Sequence, residues 1–101
     1  MSLKKQYNEK KAICKVTFKL SKDCVNYANR VNLVGDFNNW DIKSTPMKKL
    51  KNGDFSASVD LEKGKEYHFR YLTEGSTWLN EIEADKQVPN EFQSENSVVI
   101  I

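Results

Sequence analysis

Residues 47–73 read MKKLKNGDFSASVDLEKGKEYHFRYLT, and this stretch decides the fold. Its centre is Asn52-Gly53, a dipeptide that favours a two-residue turn with positive φ between antiparallel strands, here 47–51 and 54–61. Apolar and polar residues alternate after this turn, and a second turn at Lys63-Gly64 leads into another alternating segment, 66–73. The stretch therefore predicts a β-hairpin followed by a third antiparallel strand.

The same alternation predicts strands on both sides of this stretch. Residues 14–20 and 31–36 alternate strictly, Trp78 lies in a short strand behind a turn at Glu74-Gly75-Ser76, and residues 97–101 are β-branched and apolar. About seven short strands separated by regular turn signals are typical of a two-sheet sandwich. We therefore expect an all-β fold, an immunoglobulin-like antiparallel β-sandwich.

Two segments lack such a pattern. Residues 1–11, MSLKKQYNEKK, are polar and rich in Lys, which predicts a flexible N-terminal arm. Residues 81–95 contain Pro89 and show no regular period, which predicts a long surface loop. Nothing divides the rest, so we expect residues 12–101 to form a single domain, too small for a barrel-sized enzyme.

The charge balance argues against two classes of partner. The chain has 16 basic and 14 acidic residues, a net charge of +2, and its Lys residues are interleaved with acidic ones, so we expect no nucleic acid and no membrane as a partner. No apolar run reaches the roughly 20 residues of a membrane span, and the N-terminus lacks the pattern of a signal peptide. We therefore expect a cytoplasmic protein with reduced Cys14 and Cys24.

The sequence also lacks the constellations that catalysis requires. It contains no Gly-rich phosphate loop, no nucleophile elbow and no Cys/His dyad spacing, and its four glycines are interpreted as turn and strand-end residues. The single histidine, His68, is interpreted as a surface or rim residue. Carboxylates at Glu81, Glu83 and Asp85 are typical of a solvated edge. We expect no enzyme activity, no cofactor and no metal.

Two indoles lie at the borders of the predicted strands. Trp40 follows Asn38-Asn39 outside the alternation, and Trp78 follows a turn. Both could cover the edge of the core, or both could form a stacking platform, because an indole face matches the apolar CH face of a pyranose ring. Arg70 alternates with three aromatic residues and must point outward if they point inward. It is then either an ordinary exposed cation or a partner for sugar hydroxyls.

A series of motifs resembles one family. Residues 31–40 read VNLVGDFNNW, residues 67–71 read YHFRY ahead of Glu74-Gly75 and Trp78, and residues 90–99 contain NEF and ENSVV. In this order they closely resemble the family 48 carbohydrate-binding modules, the isoamylase N-terminal or early-set domains of glycogen branching and debranching enzymes and of the β subunit of AMP-activated protein kinase. The resemblance covers residues 14–101. It is closest to free-standing bacterial proteins, named after isoamylase or branching enzyme, that lack a catalytic domain.

The resemblance implies an immunoglobulin-like domain that binds α-1,4-glucans such as glycogen, starch and maltooligosaccharides. It implies stacking by two tryptophans, hydrogen bonds from polar side chains and an apolar rim residue. These positions match Trp40, Arg70, Trp78, Phe92, Ser94 and Asn96. The family has Lys in place of Arg70, Leu in place of Phe92 and commonly Gly in place of Gln93, so the site is expected to have a different shape.

We therefore expect a stand-alone, monomeric, non-catalytic module that binds an α-glucan oligosaccharide or polysaccharide. An alternative is a regulatory module that docks on a glycogen-metabolism enzyme, with sugar binding weak or lost. A further alternative is an enzyme fragment whose catalytic part lies elsewhere.

Overall fold

The computed structural model describes residues 3–25, 28–74, 77–81, 83–90 and 94–101. They form nine strands and one short 3₁₀ helix: β1 (Leu3–Tyr7), β2 (Ile13–Leu20), β3 (Val31–Gly35), the 3₁₀ helix (Asp36–Asn38), β4 (Lys48–Lys49), β5 (Phe55–Glu62), β6 (Glu66–Thr73), β7 (Trp78–Leu79), β8 (Lys86–Pro89) and β9 (Glu95–Ile100). One sheet has the order β1-β2-β5-β4 and the other β3-β6-β9-β8, with β7 also paired to β6. All strand pairs are antiparallel, which confirms the all-β sandwich, with β1 and β8 added to the seven expected strands.

The core lies between the two sheets and follows from the alternation. Every second residue of β2 is buried, beginning with Cys14, and the aromatic residues of β6 meet them from the other sheet. Phe18 contacts Phe69 edge-on, with ring centroids 5.0 Å apart. Burial of one such side chain stabilises the fold by roughly 1.5–3 kcal/mol. Because the aromatic residues of β6 point into the core, the residues between them must point outward.

The predicted hairpin is present, but its turn differs. Lys48 and Lys49 of β4 pair with Ser56 and Phe55 of β5. Positive φ occurs at Gly53 (94°) and not at Asn52, and the N–H of Gly53 donates to the carbonyl of Leu50. This is a three-residue loop with glycine at its last position, so the prediction of a two-residue turn is wrong. The turn at Gly64, with φ of 81°, is confirmed. Gly75 and Ser76, where another turn was predicted, lie outside the described residues.

Gly35 is required for space rather than for an unusual backbone angle. Its φ of -173° is ordinary extended backbone, and its Cα is paired with that of Phe69. A Cβ atom at this position would lie 2.5 Å from the carbonyl oxygen of His68 and 2.8 Å from the Cβ of Phe69. The glycine lets β3 approach β6 closely where β3 ends. Gly35 is thus a strand-end residue, as expected, but lack of space rather than backbone conformation requires a glycine there.

Leu3–Tyr7, within the segment predicted as a flexible N-terminal arm, form the edge strand β1 against β2. Leu3 packs against the core, and Lys5 lies opposite the buried Val16. The Lys5 ammonium bonds to the Asp85 carboxylate at 2.8 Å, which joins the two sheets at one side of the sandwich. Because Lys5 stands at an inward position, the sequence of β1 lacks the alternation of apolar and polar residues from which a strand is predicted.

The long surface loop predicted for residues 81–95 is also wrong in part. Lys86–Pro89 form β8 at the edge of the second sheet, where a proline is tolerated because no neighbour needs its missing N–H. Glu81 is only 2% exposed, which contradicts its assignment to a solvated edge. The charged residues and the proline in this segment are the reason why neither β8 nor the burial of Glu81 was predicted from the sequence.

Glu81 belongs to a buried polar network. The Tyr71 hydroxyl donates to its carboxylate at 2.7 Å, and the backbone N–H of Glu83 donates to the second oxygen at 3.0 Å. The backbone of Glu81 bonds to the Ser97 hydroxyl at 2.7 Å and to the Gln87 amide at 2.6 Å. Burial, together with the Glu81 carboxylate, raises the pKa of Tyr71 well above its usual value. The network ties β6, β8 and β9 together behind the outer face of the sheet.

Two further features of the structure are the state of its cysteines and the lack of a membrane-spanning helix among the described residues. Cys14 is buried and Cys24 exposed, and both are free thiols. Within the described part of the chain, no helix has the length and apolar character needed to span a bilayer.

Candidate functional site

An open groove lies on the outer face of the second sheet. Its volume of about 750 Å³ falls within the range typical of small-molecule sites. It is lined by Asp36, Trp40, His68, Arg70, Trp78, Asn90, Ser94 and Asn96. Five of the six residues singled out in the sequence are thus together in one place. The sixth, Phe92, lies outside the described residues.

The loop after β3 holds Trp40 at the groove. The Asn38 side chain donates to the carbonyl of Leu33 at 2.9 Å and to the hydroxyl of Thr45 at 3.0 Å, while its oxygen accepts the Gly35 N–H at 3.0 Å. The three bonds of this one side-chain amide hold the loop against the end of β3. Trp40 has a positive φ of 57° and is half-buried, so its ring is not part of the core between the sheets.

Arg70 and Trp78 form a second part of the groove. Trp78 is paired with Leu72 across β6 and β7, which makes Arg70 its diagonal neighbour on the same face. The Arg70 guanidinium lies over the indole ring, 5.6 Å from its centroid, a distance suited to a cation–π interaction. Burial lowers the pKa of Arg70. Its Nε is buried and has no hydrogen-bond partner among the described residues.

The opposite side of the groove is a chain of amides. The backbone groups of Asn90 and Ser94 bond at 3.0 Å, and the Ser94 N–H also donates to the Asn90 side-chain oxygen at 3.2 Å. The Asn90 amide nitrogen donates to the Asn96 oxygen at 3.1 Å. The Asn96 nitrogen lies 3.4 Å from Nδ1 of His68. These contacts present several polar groups in a fixed arrangement.

Buried valines lie directly across from the polar side chains of this sheet face. Val34 is the Cα partner of Arg70, and Val98 is the partner of His68. Both valines are 0% exposed, so no water contacts them. The sheet face therefore combines apolar support with polar groups, the combination that orients small ligands in binding sites.

The electrostatics of the groove suit an uncharged ligand. Among the eight described lining residues, Asp36 and Arg70 carry formal charges of opposite sign. The others are indoles, amides, a hydroxyl and an imidazole. Over the described residues, no cluster of three or more potential metal ligands is present. The groove can therefore stack and hydrogen-bond a polar, neutral molecule.

Three lining residues, Asp36, His68 and Asn90, were not among the predicted site residues. The alternation of β6 could have revealed His68, because it shares the outward face with Arg70. It is half-buried at the groove rather than an ordinary surface residue. Asp36 contacts Trp40 four positions away and His68 32 positions away, and Asn90 contacts Ser94 and Asn96. These bonds depend on the course of the loops, which leaves no periodic signal in the sequence.

The comparison with protein families agrees with this geometry. The model of carbohydrate-binding module 48 (isoamylase N-terminal domain) matches residues 25–86, more than half of the chain. The chain belongs to the carbohydrate-binding module 48 family. Members of this family are non-catalytic domains with an immunoglobulin-like fold, which agrees with the observed sandwich. Comparison with curated proteins returns no match. Within the module, Trp40, Arg70 and Trp78 lie in the matched segment, whereas Ser94 and Asn96 follow it.

Proposed function

We propose that this carbohydrate-binding module binds α-1,4-glucans such as glycogen, starch and maltooligosaccharides as a stand-alone, monomeric, non-catalytic protein. The observation that carries the proposal is the presence of two indoles and an incompletely bonded guanidinium in one groove of near-neutral charge. Trp40 and Trp78 stack on glucose rings, and Arg70 and Asn96 bind hydroxyls. Phe92 and Ser94 close the rim, an assignment that comes from the family resemblance.

The shape of the groove supports weak binding. It is open, so bound sugar stays partly solvated and its hydrogen bonds contribute little beyond about 1 kcal/mol each. Stacking on each indole adds on the order of 1–3 kcal/mol, from which the ordering of the ligand is subtracted. The expected dissociation constant is therefore roughly micromolar to millimolar. The free thiols support the cytoplasm as the compartment, because reducing conditions keep cysteines in that state.

A titration with maltoheptaose, followed by tryptophan fluorescence and by amide NMR shifts, tests the proposal. Saturable shifts at Trp40, Arg70, Trp78 and Asn96 are expected. Cellohexaose, which has the same glucose units in β-1,4 linkage, is the control ligand. Tyr7→Ala is the control variant, because Tyr7 is an exposed aromatic residue outside the groove.

A flat titration up to about 10 mM maltoheptaose would contradict sugar binding. Retention of a glycogen-metabolism enzyme by the immobilised module would then favour the docking alternative, with the indoles buried against protein. Equal binding of both sugars would support a carbohydrate site but contradict its specificity for α-1,4-glucans.

A further inference from the structure

The Asp36 carboxylate lies between two donors at the end of β3. The ladder between β3 and β6 ends at the pair Gly35 and Phe69. Beyond it, one Asp36 oxygen accepts the backbone N–H of His68 at 2.8 Å. The other oxygen accepts the indole N–H of Trp40 at 2.9 Å. A single carboxylate therefore ties the Trp40 ring to the central strand of the sheet.

We propose that Asp36 is a positioning residue for ligand binding, which it supports by holding the Trp40 indole in one orientation. The proposal rests on the proposed function, since it concerns the same groove. Trp40 is in a loop, and without this bond its ring can occupy other rotamers. Stacking requires the ring to be in place before the ligand arrives, because ordering it on binding reduces affinity.

The test compares Asp36→Asn in two backgrounds. The amide keeps the size of the carboxylate but must turn its NH₂ group toward one of the two N–H donors, so we expect about tenfold weaker binding of maltoheptaose. In a Trp40→Phe background the indole N–H is absent, and Asp36→Asn should change the affinity less than twofold. Asp60→Asn, an exposed position on the other sheet outside the groove, is the matched control for lost charge.

A second readout needs no sugar. Hydrogen exchange of the Trp40 indole N–H, measured by NMR, should accelerate about tenfold in Asp36→Asn. An unchanged exchange rate would overturn the proposal even if the module bound no glucan. An equal loss of affinity in both backgrounds would also overturn it, because the role of Asp36 would then be to hold the backbone of His68.

A separate observation concerns His68. The Ser94 backbone N–H can only donate, so Asn90 turns its oxygen toward it. The Asn90 NH₂ group then donates to the oxygen of Asn96, which leaves the Asn96 NH₂ group against Nδ1 of His68. Nδ1 must therefore be an acceptor, and the ring proton of neutral His68 lies on Nε2.

We infer that neutral His68 positions the Asn96 amide and that protonation of His68 weakens ligand binding. A protonated ring places an N–H against the Asn96 NH₂ group, and two donors repel. Of the residues that the structure describes, the charged ones that share this sheet face are Asp36 and Arg70 in the groove and the ion pair of Glu66 with Lys86 beside it. This inference also rests on the proposed function.

Affinity for maltoheptaose, measured from about pH 8 to about pH 5, tests the inference. The wild type is expected to lose about fivefold or more of its affinity in those samples in which NMR shows a protonated His68 ring. His68→Asn, whose side-chain oxygen can accept in place of Nδ1, should remove this dependence. A wild-type affinity that is constant while His68 titrates would overturn the inference. Imidazole nitrogen shifts that place the proton on Nδ1 would overturn it without any sugar.

Discussion

The backbone at Trp40 offers a test that separates folding from binding. Its φ of 57° is a left-handed conformation, which costs a residue with a Cβ atom roughly 1–2 kcal/mol. A glycine avoids this cost, but its greater freedom in the unfolded chain destabilises by about 0.4–1 kcal/mol. We therefore expect Trp40→Gly to be more stable than Trp40→Ala by about 0.5–1 kcal/mol.

Both variants remove the indole and should lose affinity to the same extent. Stacking of one sugar face removes roughly 50 Å² of apolar surface from each partner, which contributes about 2.5 kcal/mol at 25 cal/mol per Å². Ordering of the ligand offsets part of this gain. The expected loss of affinity for maltoheptaose is about 10–30-fold in each variant.

Thermal and urea unfolding, followed by Trp78 fluorescence, measure the stability difference, which corresponds to about 2–8 °C in Tm. Asn39 also has a φ of 57°, and because asparagine tolerates this conformation, Asn39→Gly is the control with a smaller gain. A Trp40→Gly variant that is no more stable than Trp40→Ala would refute the strain argument. A Trp40→Ala variant that is strongly destabilised but, where still folded, binds maltoheptaose like the wild type would show that Trp40 is a core residue.

Three further substitutions test the frame and the site. Gly35→Ala should lower the free energy of unfolding by about 1–3 kcal/mol or more, because its methyl group would overlap β6, and an unchanged urea midpoint would contradict this packing. Arg70→Ala should weaken maltoheptaose binding about 3–10-fold, with Arg70→Lys in between, and calorimetry that shows wild-type affinity would remove Arg70 from the site. The raised pKa of Tyr71 means that the folded state keeps the proton longer than the unfolded state, so stability is complete below the usual value of 10.0 and falls as the pH rises above it. Tyr71→Phe should lose less stability than the wild type between about pH 9 and pH 11 in urea unfolding, and equal slopes would contradict the assignment.

The strands that the sequence revealed are those whose inward residues are apolar. Alternation predicted β2, β5 and β6 because their core faces are built from aliphatic and aromatic side chains. It did not reveal β1, whose inward Lys5 is neutralised by a carboxylate of the other sheet. It did not reveal the burial of Glu81 either, because two of the bonds that make that burial tolerable are made with residues 10 and 16 positions away: the Tyr71 hydroxyl donates to its carboxylate, and the Ser97 hydroxyl accepts its backbone N–H.

The sequence indicated only part of the candidate site, because the other part depends on contacts that no local pattern shows. Strand parity placed Arg70 outward, whereas the position of Trp40 beyond the alternation allowed either a place over the core edge or a stacking role. The role of Asp36 was hidden, because its bond to Trp40 depends on the course of the loop after β3 and its bond to His68 joins residues 32 positions apart. Hydrogen bonds of this kind depend on sheet register, which a single sequence determines only through the fold.

The central strand β6 has a consequence for how this binding surface can change. Its odd-numbered residues from Tyr67 to Tyr71 pack between the sheets, while His68 and Arg70 face the groove. Selection, or a designer, can therefore alter every second side chain of one strand and leave the interior intact. A change of ligand preference can therefore begin at His68 and Arg70 without a new core, on a strand that is already held in place, while loop residues such as Trp40 form the rest of the groove.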